Sequence, residues 1–199
     1  MQKNILVDEI HHRVKNNLAV IASMIRLHSE RVKDKNARIA LNESKERVVS
    51  MSLIHNMLYD NDDITRINFK EYISQLNSEI STIYNKNFNI DTQIEVDNIY
   101  FDIITSVPLG LILNELIINA YKHAFKENTE NLLQISIEQM KPYKNKYNLC
   151  VKDNGVGIKG SYKAGSNKSI GLRLVERLSL QLKGKLYYKY DKGAISIAA

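Results

Sequence analysis

Asn114-Glu115-Leu116-Ile117-Ile118-Asn119-Ala120-Tyr121-Lys122-His123-Ala124 is the stretch whose reading decides the fold. It sits in a helical periodicity that begins near Thr105, with Pro108 expected in the first turn, where a missing N–H is tolerated. At about 100° per residue, Leu109, Leu113, Leu116, Ile117, Ala120 and Ala124 fall on one apolar face, and Glu115, Asn119 and Lys122 fall on another. One face is expected to pack and the other to present chemistry. A carboxylate, an amide oxygen and an ammonium on adjacent turns suit a hydrated Mg²⁺ and its phosphates: the oxygens take the hard cation or its waters, and lysine takes phosphate charge. An ordinary amphipathic helix with a wet side would show the same pattern, so the decision rests on what lies downstream.

Asp153-Asn154-Gly155-Val156-Gly157 follows the apolar run Tyr147 to Val151, and Gly171-Leu172 opens another helical pattern about fifteen residues later. An Asp in a glycine-rich turn at a strand end can accept a hydrogen bond from a purine amine, and the glycines let backbone come close. A helix N-terminus after glycine is an anion site. In order, N-E-L-x-x-N-A-x-K-H-A, D-N-G-x-G and S-x-G-L resemble the N, G1 and G2 boxes of the ATP-binding superfamily shared by histidine kinases, Hsp90 chaperones, MutL proteins and type II topoisomerases.

Composition sets the bounds. At 199 residues, with 44% apolar and 25% charged residues, the chain can bury one large domain or two small ones. Its longest apolar runs are interrupted before the ~18 residues of a membrane span, and no signal peptide is read at the N-terminus. Cys150 has no second cysteine to pair with, and a reducing cytoplasm is the expected location. The net charge of +6 and pI of 9.2 are spread among acids, without a basic run interleaved with aromatics, so nucleic acid is not the expected partner. An anionic nucleotide or an acidic protein explains the excess equally well.

From Gln2 to about Val32 there is no Pro or Gly, and Leu6, Ile10, Val14, Leu18, Ile21, Met24 and Ile25 share about 120° of helical arc. After the polar turn Lys33 to Asn36, a second pattern from Ala37 to Tyr59 carries Val48, Met51, Ile54, His55 and Leu58. Two long helices on a short turn read as an antiparallel hairpin, and two such hairpins from two chains would make a four-helix bundle. His12 lies opposite the stripe and is expected in solvent, with Asp8 and Asn16 one turn to either side; His11 lies near the stripe edge. A neutral imidazole is a nucleophile near physiological pH, and a nearby carboxylate can orient it or accept its proton. Glu9 to Leu18 resembles the phosphoacceptor box of the histidine kinases whose signature is H-R-V-K-N, and the resemblance implies that His12 is the phosphorylated residue. Arg13 stands where the commoner histidine-kinase pattern has an acid, which leaves Asp8, Glu9 and Glu115 as candidates for the general base.

Asp60-Asn61-Asp62-Asp63 is read as a domain boundary. Beyond it, Asn68 and Glu71 form an expected capping box for a helix with Phe69, Tyr72, Leu76, Ile80 and Ile83 on its apolar side. Strands are expected at Ile90 to Val96, around Leu133 to Ile137 and at Leu149 to Val151. A lid-like loop runs from Ile158 to Lys168; a helix follows, capped by Ser169 and ended by Gly184, and then a closing hairpin turns at Asp191 to Gly193. His28 and His55 are read as packing or bundle-edge residues, and His123 as either a nucleotide contact or a packing residue.

The fold expected is α+β: an N-terminal antiparallel helical hairpin, residues 1–62, for dimerisation and phosphotransfer, followed by an α/β sandwich ATP-binding domain of the histidine kinase/Hsp90 type, residues 66–199. The resemblance implies an ATP-dependent histidine autokinase of two-component signalling, with Asp153 on the adenine amine, Asn119 on Mg²⁺, Gly155, Gly157, Gly171 and Leu172 along the nucleotide, and Lys122 on phosphate. Its implied partners are ATP, an aspartate of a response regulator and a second copy of the chain. A chaperone- or MutL-type ATPase and an anti-sigma-factor-like serine kinase share the nucleotide boxes but leave H-R-V-K-N unexplained.

Overall fold

The computed structural model describes residues 2–58, 66–84, 89–126, 130–143, 145–156, 169–189 and 194–198, with backbone alone at 2–8, 10, 11, 189 and 194–198. The chain divides into two compact units, Met1–Ile67 and Asn68–Ala199. The sequence-based boundary at Asp60 to Asp63, the lid loop 158–168 and the hairpin turn at 191–193 lie outside the described residues.

The first unit is a helical hairpin. α1 (Gln2–Arg31) and α2 (Lys35–Met57) pack on each other across a three-residue turn, and Asp34 caps α2 by accepting the Ala37 amide at 2.7 Å. The partly covered side of α1 runs through Val14, Leu18, Ala22 and Ile25 to buried Ser29. Ile21 and Met24, expected in that stripe, are instead exposed together with Val20 and Leu27, each by 44–56%. One partner helix covers about a third of a helix surface, and α1 carries more apolar residues than that. His28 is exposed as well.

The second unit is built on a five-stranded sheet in the order β2-β4-β5-β7-β6. Its strands are β2 (Ile90–Glu95), β4 (Asn131–Gln139), β5 (Tyr147–Asp153), β6 (Lys185–Lys189) and β7 (Ala194–Ala198). β2 runs parallel to β4, and the other pairs are antiparallel. Register carries one apolar row across the sheet: Ile94 opposes Ile135, Ile135 opposes Val151, Val151 opposes Ile195, and Ile195 opposes Tyr188. A strand's period of two sends that row to one face, where α3 (Phe69–Tyr84), α4 (Ile103–His123) and α5 (Ile170–Gln181) cover it. The result is a helix layer on a mixed sheet. Two-residue strands β1 (Ile67–Asn68) and β3 (Tyr100–Phe101), too short to leave a sequence pattern, complete the elements.

Caps fix the helices. Asn68 accepts from the amides of Lys70 and Glu71, the cap expected there, while Glu71 answers by accepting from the Asn68 side-chain amide at 3.0 Å. Asp102 caps α4 through the Thr105 amide at 2.8 Å, so the helix starts two residues earlier than its periodicity suggests and Pro108 falls in the second turn. Lys183, not Gly184, takes the left-handed conformation at the end of α5, with φ 58°, and Gly184 donates back to the Ser179 carbonyl at 2.8 Å.

α4 departs most from expectation. It is buried nearly all round from Ser106 to Ile118, and Glu115, expected on a wet face, is 7% exposed. α4 lies on the sheet between α3 and α5, so packing reaches three sides of it. By length and composition α4 could cross a membrane, although the apolar runs were read as too short, and 72% of its most apolar window is buried within the fold. Burial in the core accounts for that apolarity.

Candidate functional site

The expected chemistry gathers where β5 ends against the last turn of α4. Leu149 and Val151 point into the core, and the same alternation puts Asp153 on the helix-facing side, opposite Leu133 at the sheet's end. A carboxyl is thereby set at the lip of an apolar layer. Burial pushes it above the usual aspartate range; the Gly155 amide, which donates to its Oδ1 at 3.0 Å, and its own backbone partly oppose that shift.

Glycine is required at position 155 by contact. A Cβ built there would lie 2.5 Å from the Ala124 carbonyl carbon and 2.6 Å from the Ala124 Cβ, too close for any side chain. The next residue, Val156, donates its amide to the Ala124 carbonyl at 3.0 Å. The turn bearing Asp153 therefore abuts the end of the helix bearing Asn119, five residues before Ala124.

On α4, Asn119 is half-buried one turn beyond Glu115, so an amide oxygen and a carboxylate share one strip of helix. Lys122 is half-buried with its ammonium 5.4 Å from the centre of the Tyr84 ring on α3, a cation–π contact. His123 is exposed. Tyr121 reaches toward α3 as well, its hydroxyl donating to Asn77 at 3.3 Å. Gly171 and Leu172 are buried at the start of α5, which packs on α4, and Ser169 caps that helix by accepting the Leu172 amide at 3.3 Å. Gly157 lies outside the described residues.

Among the described residues no group of three or more His, Cys, Asp or Glu could hold a metal. The donors present, Asn119 with Glu115, suit a hard cation that brings phosphate oxygens and water with it, as Mg²⁺ does.

In the hairpin unit, His12 is exposed on α1, and Asn16 is exposed one turn on. Glu9 pairs with Arg13 across one turn at 2.7 Å, an open-surface ion pair of little energetic weight. The side chains of Asp8 and His11 lie outside the described residues. Two residues went unassigned in the sequence, Asn131 and Asn154, although both make paired hydrogen bonds beside Asp153; the middle letter of D-N-G was the available signal.

The raised Asp153 carboxyl has a measurable sign. A carboxyl that holds its proton more tightly when folded adds stability below the ordinary value of about 3.9, and that stability is lost as pH rises through the folded value. Thermal melts of wild type and Asp153→Asn should therefore show the wild type losing ground to the variant as pH rises from about 3.5 toward 6. A difference that stays flat, or shifts toward wild type, would contradict the burial assigned to this carboxyl.

Residues 9–84 match a family described as histidine kinase. Sensor histidine kinase PdtaS of Mycolicibacterium smegmatis is 31% identical over 94% of this chain, and its Mycobacterium tuberculosis counterpart matches equally. Blue-light-activated histidine kinase 2 of Erythrobacter litoralis is 27% identical over 89% of the chain. The chain spans 37% of the length of the mycobacterial relatives and 51% of the Erythrobacter one. Among solved structures, the histidine kinase domain of the Erythrobacter litoralis EL346 blue-light-activated kinase aligns with a TM-score of 0.69 at 25% identity, covering 96% of this chain and 88% of that one. With relatives that run from the hairpin through the sheet domain, the chain is similar to histidine kinases along both of its units, and residues 9–84 match the histidine kinase family.

Proposed function

We propose that the chain is an ATP-dependent histidine autokinase of cytoplasmic two-component signalling, phosphorylating its own His12 and passing the phosphoryl group to an aspartate of a response regulator. The observation that carries this reading is an exposed imidazole directly before Arg13-Val14-Lys15-Asn16, inside the stretch that matches the histidine kinase family. A phosphoacceptor has to be reached by a nucleotide in one step and a receiver domain in the next, and exposure serves both.

In this reading the second unit binds ATP: Asp153 accepts from the adenine amine, Gly155 and Gly171 allow backbone to approach, and the capped start of α5 offers amides to phosphate. Mg²⁺, when bound with the nucleotide, supplies charge neutralisation at the phosphates, and Asn119 with Glu115 would hold it or its waters. Lys122 leaves its Tyr84 ring to meet phosphate charge. His12 attacks the γ-phosphorus through a neutral ring nitrogen, the N–P bond forms as the bond to the β-phosphate oxygen breaks, and ADP leaves. The ring proton passes to a carboxylate drawn from Asp8, Glu9 and Glu115. Positioning and charge neutralisation carry most of such a transfer.

Self-association follows from the hairpin. Val20, Ile21, Met24 and Leu27 form an exposed apolar strip on α1, and two helices alone cannot enclose a core. A second copy supplies the missing two helices of a four-helix bundle.

Incubation with γ-labelled ATP and Mg²⁺ should give acid-labile, alkali-stable label on wild type and none above background on His12→Ala. Label retained by His12→Ala, or acid-stable label on an added partner protein, would contradict the assignment and favour a serine kinase. Light scattering should give twice the chain mass for wild type and a shift toward monomer for Met24→Glu. A wild-type monomer at tens of micromolar would contradict the bundle.

A further inference from the structure

The turn that carries Asp153 leaves the sheet at once, and the way it leaves is unusual in its hydrogen bonding. Leu133 and Asp153 are the last paired residues of β4 and β5. A strand that peels away there would leave the amide of Leu132 and the carbonyl of Glu130 without a strand partner at the sheet's end. The Asn154 side chain takes that place: its Oδ1 accepts the Leu132 amide at 2.8 Å, and its Nδ2 donates to the Glu130 carbonyl at 2.7 Å. Its own amide meets the Leu132 carbonyl at 3.2 Å. A carboxamide can imitate one peptide unit in this manner because it carries a donor and an acceptor side by side. The ladder is thus completed by a side chain, and the backbone is released to turn toward α4.

Asn131 makes the matching brace. It is buried, its Oδ1 accepts the Lys126 amide at 3.3 Å, and its Nδ2 donates to the Lys126 carbonyl at 3.0 Å. Lys126 stands two residues beyond Ala124, whose carbonyl accepts the Val156 amide. The bonds therefore close a ring from the end of α4, through Asn131 and the start of β4, through Asn154, and back along the Asp153 turn to Ala124. Every link is a peptide group or a carboxamide.

We infer that Asn154, braced by Asn131, is a positioning residue for the nucleotide site: it holds the Asp153 carboxyl at a fixed place relative to the Asn119 end of α4 by completing the β4 ladder while the turn departs. This inference rests on the reading of Asp153 as the acceptor of the adenine amine. A hydrogen bond between a carboxylate and an amine loses most of its worth when the acceptor is misplaced by an ångström, so the brace acts on base recognition more than on phosphate binding.

Dissociation constants for Mg·ATP and for Mg·purine riboside triphosphate, which lacks the 6-amino group, isolate that hydrogen bond in the full chain. Wild type should prefer ATP, and Asp153→Ala, which removes the acceptor, should lose the preference. Asn154→Ala should lose about tenfold of ATP affinity and most of the preference, while the analogue binds nearly as it does to wild type. Asn154→Asp keeps the acceptor for Leu132 but faces the Glu130 carbonyl with oxygen, and should lose part of the preference. An unchanged ATP-to-analogue ratio in both Asn154 variants, whatever their melting temperatures, would overturn the inference and leave Asn154 a purely structural residue. A wild type without preference, or an Asp153→Ala that keeps it, would instead overturn the underlying assignment of Asp153.

Discussion

The contact between Gly155 and Ala124 is the constraint on which the second unit's site depends. No side chain fits at position 155, and the adjacent Val156 amide is spent on the Ala124 carbonyl, so the end of α4 and the end of β5 meet through backbone, braced by the carboxamides of Asn131 and Asn154. Backbone contacts of this kind leave fewer rotamers to fluctuate than a side-chain interface would, and that suits a site whose parts lie on separate elements. Ala124 and Val156 are far apart in sequence, yet the junction bonds them, which brings the Asp153 turn to the end of the helix that carries Asn119. Burial of α4 on three sides then serves the same end, since a helix buried so fully does not shift easily on its sheet.

The hairpin unit obeys a different logic. Its apolar strip at Val20, Ile21, Met24 and Leu27 exceeds what α2 can cover, while His12 lies exposed further along the same helix. An apolar strip and an exposed imidazole on one helix are what the proposed self-association and the proposed phosphoacceptor require. Close packing in the sheet unit and exposure in the hairpin are complementary requirements of the proposed phosphoryl transfer.

Much of this was legible in the residues. Period-two runs such as Leu133, Ile135 and Ile137 marked strands because one side of the sheet is buried, and Asn68 with Glu71 announced a helix start because a cap is local chemistry. The misreadings arose where tertiary neighbours decide. Glu115 was placed on a wet face because helical arithmetic sees one partner, whereas α4 has three. Ile21 and Met24 fall outside the covered stripe, and apolar identity alone does not say which side of α1 its partner helix covers. Gly184 does close α5 as read, its amide meeting the Ser179 carbonyl, while the left-handed residue is Lys183 just before it. Asn154 escaped notice for a similar reason: its partners, Leu132 and Glu130, are more than twenty residues away, and no local pattern points to them.

The central claim is that α4 and the Asp153 turn together form one Mg·ATP site. Calorimetric titration of the chain with a non-hydrolysable ATP analogue measures it directly. Saturable one-to-one binding is expected, weakening at least tenfold when Mg²⁺ is withheld or Asn119 becomes Ala. Absence of saturable binding, or binding indifferent to both changes, would contradict the claim.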